Sequence, residues 1–191
     1  MRSRVMNHNR AIPPLLLLLA AGCGYRVVRG DNPFGAEKIA VIPFAEEEPI
    51  GISGVVAREL AALLARDGVH IVMSPEHADA VLSGTVLSEQ TSKSPVAATG
   101  TTVPAYRIAV TVEAHLKRHN EKLWSGQANS RDSFLPARAP QSNDWDTQHA
   151  QTHTLQTDAN RRQALERLAV DLAHTLHQQL VIDGELSRGG N

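Results

Sequence analysis

Apolar residues change their spacing several times along the chain, and each spacing predicts a different element. The first run, Ala11 to Leu19, is unbroken and lies between Arg2, Arg4 and Arg10 on one side and Ala20, Ala21 and Gly22 on the other. It is too short to cross a bilayer, which takes ~20 apolar residues. Gly24 to Phe34 is polar and contains glycine, with Tyr25 to Val28 able to pair as a short strand. Lys38 to Phe44 is apolar on both parities, the pattern of a strand buried on two faces. Pro43 should mark its end, because proline has no N–H to give to a sheet. From residue 52 to 67, Ile52, Val55, Val56, Leu60, Leu63 and Leu64 recur at helical spacing and Arg58, Glu59 and Arg66 fall outside the stripe. Gly68 ends that helix, and Val69 to Met73 resumes strand character. A strand, helix, strand unit predicts a parallel pair joined by a right-handed crossover.

Beyond Pro75 the spacing is two. Asp79 to Glu89 reads as a strand with Ala80, Leu82, Gly84 and Val86 on one parity. The cleanest alternation runs from Tyr106 to Lys117: Tyr106, Ile108, Val110, Val112, Ala114 and Leu116 face one way, and Arg107, Thr111, Glu113, His115 and Lys117 the other. One face of this sheet is therefore core and the other meets water or a partner. His119, Asn120 and Glu121 form a turn, and Leu123 to Phe134 returns as an antiparallel strand. Gln90 to Val103, rich in Ser, Thr, Ala and Gly, is expected to be a mobile loop. Pro136 to Thr157 is a second polar stretch, long for a connection and suggestive of disorder or of a partner. Asp158 is placed to cap a last helix whose stripe is Ala164, Leu165, Leu168, Leu172, Leu176 and Leu180.

The N-terminal run changes the picture once Cys23, the only cysteine, is added. A basic start, an apolar stretch and small residues form an export signal, and a cysteine directly after them resembles the signal of bacterial lipoproteins, although Ala20 stands where leucine is usual. That resemblance implies removal of residues 1–22, a diacylglycerol thioether and an N-acyl chain on Cys23, and a lipidated tether over residues 23–37. Under the sorting rule of Gram-negative lipoproteins, Gly24 in place of aspartate implies the outer membrane. Residues 38–183 then make a single domain and residues 184–191 a disordered tail. Without the three signal arginines, sixteen basic side chains face twenty acidic ones, which excludes the basic footprint that nucleic-acid binding requires. With the thiol acylated no disulfide can form, and with only three Phe, two Trp and two Tyr the core must be built from Val, Ile, Leu and Ala.

Candidate chemistry is sparse. Gly51-Ile52-Ser53-Gly54 departs from a nucleophile elbow, which needs glycine two residues after the serine where this chain has Val55. No phosphate-cradling loop, dinucleotide turn or His-Glu-x-x-His helix occurs. His115 with His119, on strand spacing, would stand about 13 Å apart, too far to share a metal. His174 with His177, and His149 with His153 in the polar stretch, lack a third ligand. Catalytic and metal residues are therefore expected to be none. The acidic Glu46, Glu47 and Glu48 before Pro49 read as a solvated loop.

Several segments together resemble the LptE family of lipopolysaccharide-assembly lipoproteins: Cys23-Gly24-Tyr25, Ile39 to Phe44, Ala78 to Val86, Tyr106-Arg107, Leu123-Trp124 and Ala159 to Ala169. The resemblance implies an α+β two-layer sandwich, with two amphipathic helices on one face of a mixed sheet of about four strands. It also implies no catalysis and no cofactor beyond the covalent lipid on Cys23. The implied partners are an LptD-like outer-membrane β-barrel, plugged by the lipoprotein during its assembly, and lipopolysaccharide (LPS). The implied place is the outer membrane, facing the periplasm or inside the barrel lumen. LPS phosphates call for Lys or Arg, and Lys93, Arg107, Arg131 and Arg138 are the candidates by position. The first half also resembles the α/β domain of curli-secretion and penicillin-binding-protein-activator lipoproteins. The C-terminal half separates the two: a long antiparallel pair and one helix favour LPS assembly, alternating strands and helices the other.

Overall fold

The computed structural model describes residues 35–98, 101–137 and 147–189. Cys23 and Arg138 therefore lie outside the described residues. The elements in chain order are β1 (Lys38–Val41), β2 (Ala45–Glu46), α1 (Ser53–Arg66), β3 (His70–Val72), a 3-10 turn (Pro75–His77), β4 (Ala80–Ala98), β5 (Thr101–Arg118), β6 (Glu121–Phe134) and α2 (Thr147–Gly189). The protein is α+β, with two helices and one mixed sheet. The sheet runs β3-β1-β4-β5-β6, with β2 also beside β4. Among the described residues the sheet has six strands where about four were expected; the two-residue β2, which pairs on its own with Thr85 and Val86, is one of the additions.

The first unit folds as its spacing dictates: β1 and β3 are parallel, with Ile39 opposite Ile71, and α1 forms the crossover. Gly68, at φ 88°, lets the chain leave α1, and its N–H and that of Val69 return to Ala65 and Leu64 carbonyls. The other end of α1 is held in a way its own residues do not reveal. Ile52 occupies the cap position and has no side-chain acceptor to offer. Glu46 accepts the N–H of Gly51, Ile52 and Ser53 at 2.8–3.1 Å instead, so one member of the expected solvated acidic loop is a structural anchor. Partial burial pushes its carboxyl pKa up, but hydrogen bonds from the backbone of Gly51, Ser53 and Ile52 and from the Ser53 side chain outweigh that and hold it below the ordinary value.

β4, β5 and β6 form an antiparallel meander, with Leu82 opposite Leu116 and Val112 opposite Ala128. Within the expected loop from Gln90 to Val103, residues 90–98 instead continue β4 and residues 101–103 begin β5, paired as far as Ala98 with Thr101. A bulge between Val86 and Ser88 reverses the parity of β4. Before it Leu82 and Val86 face the core; after it Glu89 and Lys93 take that side and Ser88, Gln90 and Ser92 the other.

α2 lies along this meander and is 43 residues long, about 65 Å at 1.5 Å per residue. The 19 residues of β4 span about 60 Å, so helix and hairpin match. Its stripe of Ala164, Leu165, Leu168, Leu172, Leu176 and Leu180 is buried in one core with Ile39, Leu60, Leu64, Val86, Ile108, Val110, Val112 and Leu116. Tyr106 and Phe134 stack at 5.2 Å toward the hairpin. α2 starts well before Asp158, so Asp158 is interior to the helix and no cap, and half of the polar stretch 136–157 is helical. Polar contacts replace packing there: Arg161 pairs with Glu89 at 2.5 Å, Asn160 donates to the Leu135 carbonyl, and Ala137 N–H donates to Thr157. At the other end the helix passes Gly184 and runs to Gly189, where the sequence predicted a disordered tail.

Trp124, buried, lies over Gly126 and donates from Nε1 to Asp183 of α2 at 3.0 Å. A Cβ on Gly84 would collide with the Phe44 ring and the Glu113 carbonyl oxygen. Gly84→Ala is therefore expected to destabilise the fold by about 1–3 kcal/mol, the usual range for overpacking; an unchanged urea midpoint would refute the contact. Glu46→Ala should cost about 1 kcal/mol, as for loss of a helix cap. Because the folded-state pKa lies below the unfolded one, that contribution is complete above the ordinary carboxylate pKa and disappears as pH falls through the folded value. Denaturation of both proteins between pH 3 and 7 checks this, since a difference independent of pH contradicts the anchor.

Candidate binding face of the sheet

Burial of one face of the meander forces its alternate residues outward. On β5 these are Arg107, Ala109, Thr111, Glu113 and His115, and the register sets Ser92, Gln90 and Ser88 of β4 beside Arg107, Ala109 and Thr111. On the other flank stand Ser133, Arg131, Asn129 and Gln127 of β6. Asn129 donates to the Thr111 hydroxyl at 2.8 Å across the strands. The middle of this face is a shallow groove of about 270 Å³ lined by Ser88, Gln90, Ser92, Arg107, Ala109, Thr111, Asn129 and Arg131.

Two of the four basic candidates thus meet. Arg107 and Arg131 are both exposed, flank one groove, and are free of ion pairs with other described residues. Lys93 does not join them. It is a strand residue opposite Tyr106 and so belongs to the helix-bearing side, one position from Ser92 but facing away from the groove. Hydroxyls and amides of Ser88, Gln90, Ser92, Thr111 and Asn129, which sequence reasoning missed, complete the lining. The alternation of β5 signalled Thr111, whereas the bulge hid the β4 residues.

The groove offers cationic and neutral hydrogen-bond donors to an anionic or sugar-rich surface. Among the described residues no polar or charged residue is buried, and no three His, Cys, Asp or Glu side chains are grouped to hold a metal. Ser53 is occupied at the α1 N-terminus beside Glu46. His177 contacts Asp67 at 2.6 Å, fastening α2 to the end of α1. His149 and His153 fall within α2 and not in a loop.

The family profile described as "LptE: Lipopolysaccharide-assembly" matches residues 36–180. The chain belongs to the LptE family. This is a family of non-catalytic, cofactor-free lipoproteins. No curated protein matches the chain. Similar solved structures include a putative lipoprotein from Caulobacter crescentus, with 14% identity, TM-score 0.47, and 82% of this chain and 95% of that chain covered. The rare lipoprotein B from Shewanella oneidensis shows 13% identity and TM-score 0.44, covering 79% of this chain and 98% of its own. A minor lipoprotein from Acinetobacter baumannii shows 13% identity and TM-score 0.41, covering 75% and 92%. Within the described residues, no helix is long and apolar enough to cross a membrane.

If Arg107 and Arg131 form one anion-binding site that takes LPS phosphates, Arg107→Glu and Arg131→Glu should each weaken LPS binding roughly tenfold, the loss expected for a charge-assisted hydrogen bond, while Lys93→Glu leaves it nearly unchanged. Calorimetric titration with LPS decides; equal losses at all three positions would dissolve the groove as a site.

Proposed function

We propose that this LptE-family protein is carried on the outer membrane by lipid on Cys23, serves as the plug and assembly partner of an LptD-like β-barrel, and takes part in delivery of LPS to the outer leaflet. Residues 1–22 are the signal peptide in this reading. The family supplies the setting. The observation that carries the mechanism is the wet face of the sheet. A β-sheet packed on one side by both helices leaves a broad polar surface of Ser, Thr, Asn, Gln and Arg, and the interior of an outer-membrane barrel is itself polar. Two polar surfaces can meet through hydrogen bonds and bridging water without burying unpaired charge. Arg107 and Arg131 would meet LPS phosphates passing this face, with Arg138 a further candidate beyond the described residues.

The C-terminal half supports this assignment over the curli-secretion and penicillin-binding-protein-activator alternative. Among the described residues, two long antiparallel strands and a single helix follow β4, without further alternation of strand and helix.

Affinity purification of the lipidated protein from outer membranes in mild detergent is expected to bring down a large β-barrel subunit, and its consistent absence would defeat the proposal. Cys23→Ser should abolish incorporation of labelled fatty acid; label retained by that variant would refute the anchor.

A further inference from the structure

One end of the molecule, opposite the β4–β5 hairpin, brings three unabsorbed features together. The register sets the starts of β1 and β4 beside each other, with Ile39 opposite Ala80, and Val81 opposite Lys117 near the β5–β6 turn. The Trp124 bond to Asp183 brings the last turns of α2 to the same end. There Ile182 and Leu186, one helical turn apart, are 58% and 70% exposed. They extend the side of α2 on which Gln179 reaches the Gln127 carbonyl of β6. Lys117 and Lys122 stand directly opposite each other across β5 and β6, both exposed. Neither is in an ion pair with another described residue, and like charges placed this way repel. Finally, the chain toward Cys23 leaves the domain through Gly35, three residues before β1.

We propose that this end is a membrane foot. Ile182 and Leu186 enter the boundary between headgroups and acyl chains, and Lys117 and Lys122 place their ammonium groups among lipid phosphates while their stems lie along the apolar layer. Phosphate relieves the repulsion that water leaves between the two lysines. Glu121 and Glu185 share this end, so the apolar pair and not net charge supplies the hold.

The tether selects a bilayer as the occupant. Eleven residues separate Cys23 from Gly35, a reach of at most about 43 Å at 3.6 Å per residue. A lipid on Cys23 therefore keeps the foot permanently close to a bilayer, at an effective concentration that makes a weak contact sufficient. The foot would also orient the domain, with the β4–β5 hairpin directed away from the lipid.

The inference rests on lipidation of Cys23, so the test begins there. Lipidated protein carrying a single added cysteine, Ile182→Cys, Leu186→Cys or Leu155→Cys, is checked by mass for the lipid, nitroxide-labelled, and bound to vesicles of phosphatidylethanolamine and phosphatidylglycerol. Collision rates with oxygen and with a water-soluble nickel chelate are then measured. Labels at 182 and 186 should be shielded from nickel severalfold and favour oxygen, whereas the label at 155, in the far half of α2, stays wet. Lys117→Glu with Lys122→Glu should reduce that shielding. Labels at 186 as nickel-accessible as those at 155 on vesicle-bound, lipidated protein would overturn the foot and leave the anchor standing. Dipolar broadening between labels at 186 would overturn it in favour of a second copy. A chain without lipid mass, and unbound to vesicles, would overturn anchor and foot together.

Discussion

The fold depends on the requirement that one face of a long, three-stranded meander be covered along its length. β4, β5 and β6 present Leu82, Val86, Ile108, Val110, Val112, Leu116 and Trp124 to one side, and that surface in water would cost about 1.5–3 kcal/mol for each large side chain. α2 is the element long enough to meet it. Its leucines enter the same core, and α1 completes the layer beside it through Val56, Leu60 and Leu64. Because the helices take one face, the other is left to water or to a partner.

Polar fastenings fix how the layers sit. Glu46 supplies the acceptor that Ile52 cannot, and so sets where α1 begins. His177 with Asp67 ties α2 to the end of α1, and Trp124 with Asp183 ties its C-terminal turns to β6. Gln179 donates to the Gln127 carbonyl on the sheet's outermost strand, occupying an edge group that would otherwise be open to another strand. Arg167 pairs with Asp132 on the same strand at 2.7 Å. These contacts are spread along the helix, which suits a rigid part that offers a surface.

Membership of the LptE family and the open polar face are consistent in physical terms. In the proposed role as a barrel plug, the protein needs a surface that is soluble alone and still complementary to a polar wall. The Ser, Thr, Asn and Gln rows around Arg107 and Arg131 meet both needs, since neutral hydrogen-bonding groups lose little on exchanging water for another polar partner.

Local spacing was enough to read most of the elements. The β1, α1, β3 unit, the alternation of β5, the return of β6 and the leucine stripe of α2 each carry their period in adjacent residues, where burial of one face leaves a direct trace. Arg107 could be placed on the outward face for the same reason, whereas Arg131 was placed only near the end of β6. Contacts between distant residues left no such trace. The bulge after Val86 reversed β4, turned Ser88, Gln90 and Ser92 into the groove and sent Lys93 to the opposite side; spacing within one strand cannot register a change that depends on its neighbour. The polar run before Ala164 holds no apolar stripe, and its helix is secured by Glu89 of β4 and by Leu135 and Ala137 just after β6. The role of Glu46 likewise exists only once the chain has turned back on itself. By itself the sequence determined which residues must be buried, because hydrophobic period is a local property. Which polar residues meet was decided only by tertiary structure, because hydrogen-bond partners are chosen by position in space.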